Sequence, residues 1–416
     1  MSGILSARYA VCCGLAFAAL TLPQAGDAKG YKQLYAFQGA ANGGSPYDQL
    51  LLKGRDLYGT TAFGGANGFG TVFKLARDGT ETILYSFQGI GVGDGKEPAG
   101  SLVADKSGDL FGATNAGGTG TCFGNTGCGT IFELAADGTE TVLYAFQGGN
   151  DGSAPNESII RDKKGNLFGT AIAGGGTSCA ISGDPPGCGT VFKVTPDGKE
   201  TTLYAFQGGS GDGAGPLGNL VADSSGNLYG STGWGGDGSC TYVSAGCGIM
   251  FKIAPDGTET VLHVFQGGTA DGSSPEGAPI FDKSGNMYGE TFGGGNTGCG
   301  ERCGTIFKLA PNGTETVLYS FCSQAKCGDG ATPVFNTLVR DAKGNLYGTT
   351  SGGGADGHGV VFKLAPDGTE TVLHSFAGNG DGMRPEGGLV ADKSGSLYGE
   401  TYGGGEDYGT VFKIKE

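Results

Sequence analysis

Glycine supplies 89 of the 416 residues, about three times the ~7% of an ordinary protein, and without periodicity that composition belongs to disordered chains. Hydrophobic residues make up 38%, with 23 Phe and 16 Tyr, which excludes full disorder provided the glycines sit in turns and not in strand interiors. A formal net charge of −15 repels phosphate backbones and anionic membranes, so nucleic acid is excluded as a natural partner, and cations, neutral glycans or proteins remain.

At the N-terminus, Arg8 precedes an apolar run from Tyr9 to Leu20, followed by small residues around Ala25 and Ala28. This is the outline of a signal peptide over residues 1–28. The run is too short for a membrane span, and Cys12 and Cys13 lie inside it instead of after it, where a lipid-modified cysteine would stand. A soluble, secreted or periplasmic protein, monomeric and without a membrane span, is the expectation.

From residue 31 the chain repeats. Leu-Tyr-Ala-Phe or a close variant ends at Phe37, Phe87, Phe146, Phe206, Phe265, Phe321 and Phe376, at intervals of 50 to 60 residues. Each unit holds four short strand patterns, A (as in GLVAD), B (NLYGT), C (TVFKL) and D (TVLYSF), joined as two hairpins by Gly-containing turns. Four strands per unit at this period predict a β-propeller. The first pattern after the leader is a lone D and the last is a lone C. Residues 31–38 are therefore expected to pair with 409–415, setting Leu34 to Phe37 against Val411 to Ile414 and closing the ring's open edge. The prediction is an all-β, seven-bladed propeller of four-stranded blades, a single domain over 31–416.

The segment GTVFKLAPDGTETVLHSF (359–376), with GNLYGTTSGGG (344–354), resembles the GloVer tandem repeat, named for Gloeobacter and Verrucomicrobia, and the likeness covers essentially all of 31–416. The resemblance implies exported, propeller-like repeats without a settled biochemical activity. Some members carry a C-terminal surface-anchoring segment; none is expected after Glu416.

Comparing the seven units locates the variable surface. The C to D and A to B hairpins are nearly constant in length, whereas the B to C connection ranges from 10 to 20 residues between its flanking glycines. In an up-and-down blade the B to C and D to A loops emerge on one face, so one face is uniform and the other sculpted, and function belongs with the variable loops. Ten cysteines fall there in five local pairs: Cys122 with Cys128, Cys179 with Cys188, Cys240 with Cys247, Cys299 with Cys303, and Cys322 with Cys327. Their even number, the export signal, and the lack of CxxC or nearby His argue for disulfides over zinc, hence an oxidising compartment.

Four residue sets carry candidate chemistry. Asp94, Asp151, Asp212, Asp271, Asp329 and Asp381 recur in AspGlyxxPro, with Asn42 in the remaining unit; they are either turn residues or a carboxylate ring for Ca²⁺. A second Asp, at the end of strand A, belongs to a turn. After the strand B Gly stand Thr60, Ala113, Thr170, Ser231, Glu290, Thr349 and Glu400. The two glutamates are candidates for a general acid and base, or for chelating Ca²⁺ or Mg²⁺, against an ordinary polar lining. His263 and His374 replace the strand D Tyr as edge packing. His358 stands at the end of a B to C loop. The architecture resembles seven-bladed streptogramin lyases, which use a His with a Glu and Mg²⁺, and His358 with Glu400 or Glu290 is the nearest parallel, one of fold only. Phe63, Trp234, Phe292 and Tyr402 open B to C loops and offer aromatic platforms for sugars or peptides, or plugs between blades. The leading expectation is a binding module, with no resident cofactor, that meets an extracellular or envelope protein or glycan through the disulfide-braced face. The alternative is a lyase or hydrolase acting on a polysaccharide or cyclic peptide at the central cavity of that face.

Overall fold

A computed structural model describes residues 30–416 other than 47, 91–92, 156–157, 177–178, 180–185, 238–239, 241–245, 301, 335–336 and 379. The signal-peptide expectation lies outside the described residues. Seven antiparallel sheets follow one another along the chain, each with its strands in the order A-B-C-D. In blade 6 these are Val339–Arg340, Leu346–Thr350, Val360–Leu364 and Glu370–Ser375. Blade 7 takes its D strand from the start of the chain. Tyr31–Ala36 pairs with Thr410–Ile414, Tyr31 opposite Ile414 and Ala36 opposite Thr410, and the Phe37 amide continues the ladder to the Gly409 carbonyl. The ring closes as the strand count predicts, but in another register than expected: Val411 to Ile414 face Tyr35 to Tyr31, not Phe37 to Leu34, with a bulge between Gln33 and Tyr35.

A repeated aromatic device packs the blades together. The Phe ending each D strand meets the Phe of strand C in the next blade, edge to face, at centroid distances of 5.0 to 5.3 Å. Both rings of every pair are fully buried. The invariant strand B glycine follows from this pairing: a Cβ on Gly59 would stand 2.7 Å from the Phe73 ring, and the other six glycines face their own strand C Phe in the same way. Glycine in a strand interior here marks a close approach.

The segments leading into strand A hydrogen-bond from blade to blade around the axis. The Gly100 amide donates to Asp48 Oδ2 at 2.6 Å, the Ser101 amide to Ser158 Oγ at 2.7 Å, the Ser158 amide to Asn219 Oδ1 at 2.6 Å, and Gln49 Nε2 to the Leu389 carbonyl at 2.6 Å. This polar girdle satisfies backbone groups that the short A strands leave unpaired. Among the described residues, no helix is long and apolar enough to cross a membrane.

Candidate binding face

The variable loops are laid out in pairs. In every blade the D to A loop entering it runs antiparallel to its B to C loop: Gly44 with Phe63, Gly95 with Gly117, Ser153 with Ala173, Gly213 with Gly235, Gly272 with Gly294, Ala331 with Gly352, and Met383 with Gly403. Close contact of the two loops requires the Gly-Gly that opens each B to C loop; Gly64, at φ +79°, would put a Cβ 2.7 Å from the Gly43 Cα.

The seam between successive blades is bolted by the residue just before strand C, which is Phe69, Cys128, Cys188, Cys247, Cys303, His358 and Tyr408 in the seven blades. Each of their carbonyls accepts an amide hydrogen bond, at 2.8 to 3.0 Å, from the loop entering the next blade. Where this residue is cysteine, it forms the disulfide expected from the sequence, and the fifth disulfide joins Cys322 and Cys327. Where it is not, a ring takes the place. Tyr408 lies over Gly39, Phe69 over Gly89 and His358 over Gly378, within 2.5 to 2.7 Å of where a glycine Cβ would stand. His358 is thus half-buried and seated as the counterpart of Phe69 and Tyr408.

The AspGlyxxPro carboxylates are placed as loop clamps. Asp94 accepts from the Tyr85 hydroxyl at 2.9 Å and from the amides of Gln88 and Gly95 at 2.7 and 2.6 Å. Asp212 repeats this with Tyr204, Gln207 and Gly213; Asp151, Asp271 and Asp381 each hold the amide after the strand D Phe, and Asp329 holds the Ser323 amide, one residue further on. At the rim the Glu opening strand D of the following blade joins six of the seven clamps; at Asp381 the place is taken by Tyr31, whose hydroxyl donates to the Asp381 carbonyl at 2.6 Å. Burial, then the charge of the neighbouring Asp, pushes Glu140, Glu259, Glu315 and Glu370 up to about 7. Glu200 reaches about 7 through burial, with a smaller push from Asp151. Glu81 is raised through burial alone, because its clamp carries Asn42, whose amide donates to Tyr35 at 2.7 Å. His263 and His374 occupy the strand D Tyr position, with Nε2 3.4 Å from Asp271 and 3.2 Å from Asp381.

Glu290 and Glu400 are both buried, at 4% and 1% exposure, and sit in different seams. Glu290 lies against Gly348 of blade 6, Glu400 against Gly59 of blade 1. Burial, then the Asp48 charge, holds Glu400 well above the usual carboxylate range, and burial lifts Asp48 to about 7 against the pull of the Gly100 amide. A further pair opens the A segments of blades 5 and 7. Burial and the neighbouring Glu386 raise Glu276 to about 8, and Arg384 Nη2 holds Glu386 at 2.6 Å. Asp48, Glu276 and Glu386 stand one or two residues after the AspGlyxxPro proline, a slot that reads Ala-Gly, Leu-Gly and Val-Phe in blades 2, 4 and 6 and also carries an acid, Glu157, in blade 3; these acids were readable in the sequence.

Of the four aromatic candidates, Phe63 alone is exposed, at 48%. Trp234 packs on Gly215, while Phe292 and Tyr402 lie under the guanidinium groups of Arg302 and Arg384, at 5.8 and 5.0 Å; all three are half-buried. Among the described residues, the other exposed large apolar side chains are Tyr408, Ile90, Phe123 and Phe281. Phe281 belongs to the end of strand A, but Tyr408, Phe63, Ile90 and Phe123 are on variable loops of blades 7, 1 and 2, which are consecutive around the ring. Exposed Asn67, Glu406 and Asp407 flank them. The uniform face holds seam pockets instead, about 280 Å³ each, one lined by Lys53, Tyr58 and Lys74 and another by Tyr288, Arg340 and Lys343.

Seven four-stranded blades, a two-ended closing blade and one disulfide-braced face define a β-propeller repeat protein. The Gloeobacter/Verrucomicrobia repeat model matches residues 21–182, 120–240, 178–321 and 238–416, and the chain belongs to that family. No curated protein matches it. Among solved structures, the extracellular domain of a putative one-component system from B. thetaiotaomicron is similar at 10% identity and a TM-score of 0.53, over 92% of this chain and 40% of that one. A puromycin-hydrolyzing peptidase of Mycobacterium tuberculosis is similar at 13% identity and a TM-score of 0.52, over 90% of this chain and 55% of that one. A puromycin hydrolase gives 13% and 0.52, over 87% and 50%. The chain spans about half or less of each of these proteins, and identities this low show the fold alone.

Proposed function

We propose that this protein is an exported binding module that takes an uncharged glycan chain on its variable-loop face, along the arc formed by Tyr408, Phe63, Ile90 and Phe123. The observation that carries the proposal is that, among the described residues, the exposed large apolar side chains of the variable loops fall in three consecutive blades. Scattered single exposures need no explanation, but a contiguous set beside polar groups marks a recognition surface. Aromatic rings flanked by carboxylates and an amide suit sugars, whose C–H faces stack on the rings while their hydroxyls hydrogen-bond to the polar groups. A chain of charge −15 disfavours anionic polymers. Paired and disulfide-braced loops support a pre-organised surface, which lowers the ordering cost of binding, and five disulfides suit an oxidising, extracytoplasmic compartment. The lyase or hydrolase reading draws no support from Glu290 and Glu400, which lie in separate seams, or from His358, which is seated as a seam plug. A glycan array probed with residues 30–416 tests the proposal: neutral glycans should be retained by the parent and lost on Phe63→Ser with Tyr408→Ser. Binding unchanged in that double variant, or retention of envelope proteins alone, overturns it.

A further inference from the structure

Four of the ten paired cysteines meet at one place. The Cys299–Cys303 disulfide belongs to the B to C loop of blade 5, and the Cys322–Cys327 disulfide to the D to A loop that leaves the same blade. The Sγ atoms of Cys299, Cys322 and Cys327 lie within 4.8 Å of one another, and Cys303 is bonded to Cys299, so four sulfurs share one site. Among the described residues, this is the one group of three or more His, Cys, Asp or Glu ligand atoms gathered so closely. Gly298 lets the loops approach; a Cβ there would stand 3.1 Å from Cys322 Sγ.

Spacing separates this quartet from the other disulfides. Cys299 and Cys303 enclose three residues and Cys322 and Cys327 enclose four, both within the C-x₂₋₄-C range of structural zinc ligands. The Cys122, Cys179 and Cys240 pairs enclose five, eight and six, too wide for that pattern. Lys326 adjoins Cys327 in sequence and Arg302 adjoins Cys303, the latter next to Glu301.

We propose that Cys299, Cys303, Cys322 and Cys327 form a redox-gated zinc site: two disulfides in the oxidised protein, a tetrahedral tetrathiolate centre in the reduced one. Each disulfide accepts two electrons and two protons from a dithiol, which departs as its own disulfide. Zn²⁺ then displaces the four thiol protons and forms four Zn–S bonds. At ~2.3 Å per bond, the S···S edges of that tetrahedron are about 3.8 Å; the Cys299, Cys322 and Cys327 sulfurs already lie within 4.8 Å of one another, and the two sulfurs of each reduced pair open by about 2 Å to reach that spacing. Thiolate ligands select zinc over the harder Ca²⁺ and Mg²⁺. The metal would tie the B to C loop to the D to A loop, a link that neither disulfide makes.

The test uses residues 30–416 with Cys122, Cys128, Cys179, Cys188, Cys240 and Cys247 replaced by Ser, reduced with a dithiol and titrated with Co²⁺ without oxygen. One Co²⁺ per chain should bind with the visible bands and near-ultraviolet thiolate charge-transfer absorption of a tetrahedral tetrathiolate. Zn²⁺ should displace it, and a disulfide oxidant should release it. Cys322→Ser should weaken binding by at least roughly 100-fold, beyond the cost of losing an outer-shell contact. Should the sixfold replacement not fold, the chain with all its cysteines is reduced to the point where four thiols titrate, and is compared with a variant carrying Ser at the four quartet positions. Absence of stoichiometric Co²⁺, or thiolate bands that survive Cys322→Ser or the quartet replacement, overturns the proposal.

Discussion

The rim carboxyl pairs make the propeller lose stability as pH rises through neutrality. Glu140, Glu200, Glu259, Glu315 and Glu370 are held at about 7 in the folded chain, against 4.5 for the free side chain. Below about pH 4.5 the folded and unfolded chains carry these protons equally, and the stability they confer is fully present. Between 4.5 and 7 the folded chain keeps protons that the unfolded chain has released, so each step up in pH favours unfolding. Above 7 the loss is complete. Unscreened, a shift of this size is equivalent to about 3 kcal/mol, but these side chains are half-exposed, and solvent screening brings each to about 1 kcal/mol. Five together amount to about 5 kcal/mol, or an unfolding midpoint lower by about 2 M urea at pH 8 than at pH 4.5. On the acid side Asp282 and Asp392, held at about 2 chiefly by hydrogen bonds from Asn286 and Ser394 and from turn amides, act in the opposite sense. Their contribution is present above about pH 4 and is lost as pH falls toward 2, so the optimum lies between 4 and 5.

Urea denaturation followed by far-ultraviolet circular dichroism from pH 4 to 8, for the parent and a fivefold Glu→Gln variant at these positions, checks the reasoning. The variant should reduce the slope by the share of these five side chains, leaving the part due to the buried Asp48, Glu276 and Glu400. General repulsion in a chain of charge −15 predicts the same sign, but it is screened by salt and should respond equally to removing the exposed charge of Glu406. A midpoint constant or rising between pH 5 and 8, or a slope abolished by Glu406→Gln as fully as by a rim substitution, refutes the assignment.

Glu400→Thr, which installs the residue that blades 1, 3 and 6 carry at this slot, should raise the unfolding free energy at pH 8 by about 1 to 3 kcal/mol by removing a buried carboxyl whose ionisation burial and Asp48 oppose; an unchanged or lower value would show that the carboxyl is needed there. His358→Phe should leave stability within about 0.5 kcal/mol, and His358→Ala should cost about 1 to 3 kcal/mol by emptying the space over Gly378; thermal unfolding separates them, and equal losses would refute the plug. Replacing Cys122 and Cys128 together by Ser should cost about 2 kcal/mol of unfolding free energy, measured by denaturant titration, and should weaken glycan retention by freeing the loop that carries Phe123. Phe63→Ser should abolish retention while changing the unfolding free energy by less than about 0.5 kcal/mol, since its side chain faces solvent; Tyr408→Ser should also abolish retention but cost about 1 to 3 kcal/mol, because the ring fills the space over Gly39.

Blade number, strand order and the two-ended closure were legible because each rests on a short-range pattern repeated seven times. Alternating apolar residues place the Phe of strands C and D inside, and turn glycines space them. The disulfides were legible for the same reason, since the paired cysteines are local. Contacts between loops distant in sequence were not. The Gly-Gly motif reads as flexibility until Gly64 is seen against Gly43, and nothing local announces that Cys299 and Cys322 belong to one cluster. Exposure is equally non-local. Trp234 and Phe292 open their loops just as Phe63 does, but Gly215 beneath one and Arg302 above the other bury them.

The slot before strand C links these observations. Its carbonyl makes the same inter-blade hydrogen bond in all seven blades, so its backbone role is fixed and its side chain is free to vary with the loop it terminates. Blades 2 to 5 have long B to C connections, whose closure entropy is greater, and there the slot is a cysteine tethering the loop to its own base. Blades 6, 7 and 1 have short connections that need no tether, and a ring fills the volume instead. Because those three are neighbours, the face divides into a braced arc and an unbraced one. The outermost ring of the unbraced arc, Tyr408, is 44% exposed, so a residue placed for packing also presents an edge to solvent beside Phe63. The proposed binding surface therefore starts on the short loops of blades 7 and 1 and runs, through Phe123 inside the Cys122–Cys128 loop, onto the first braced blade.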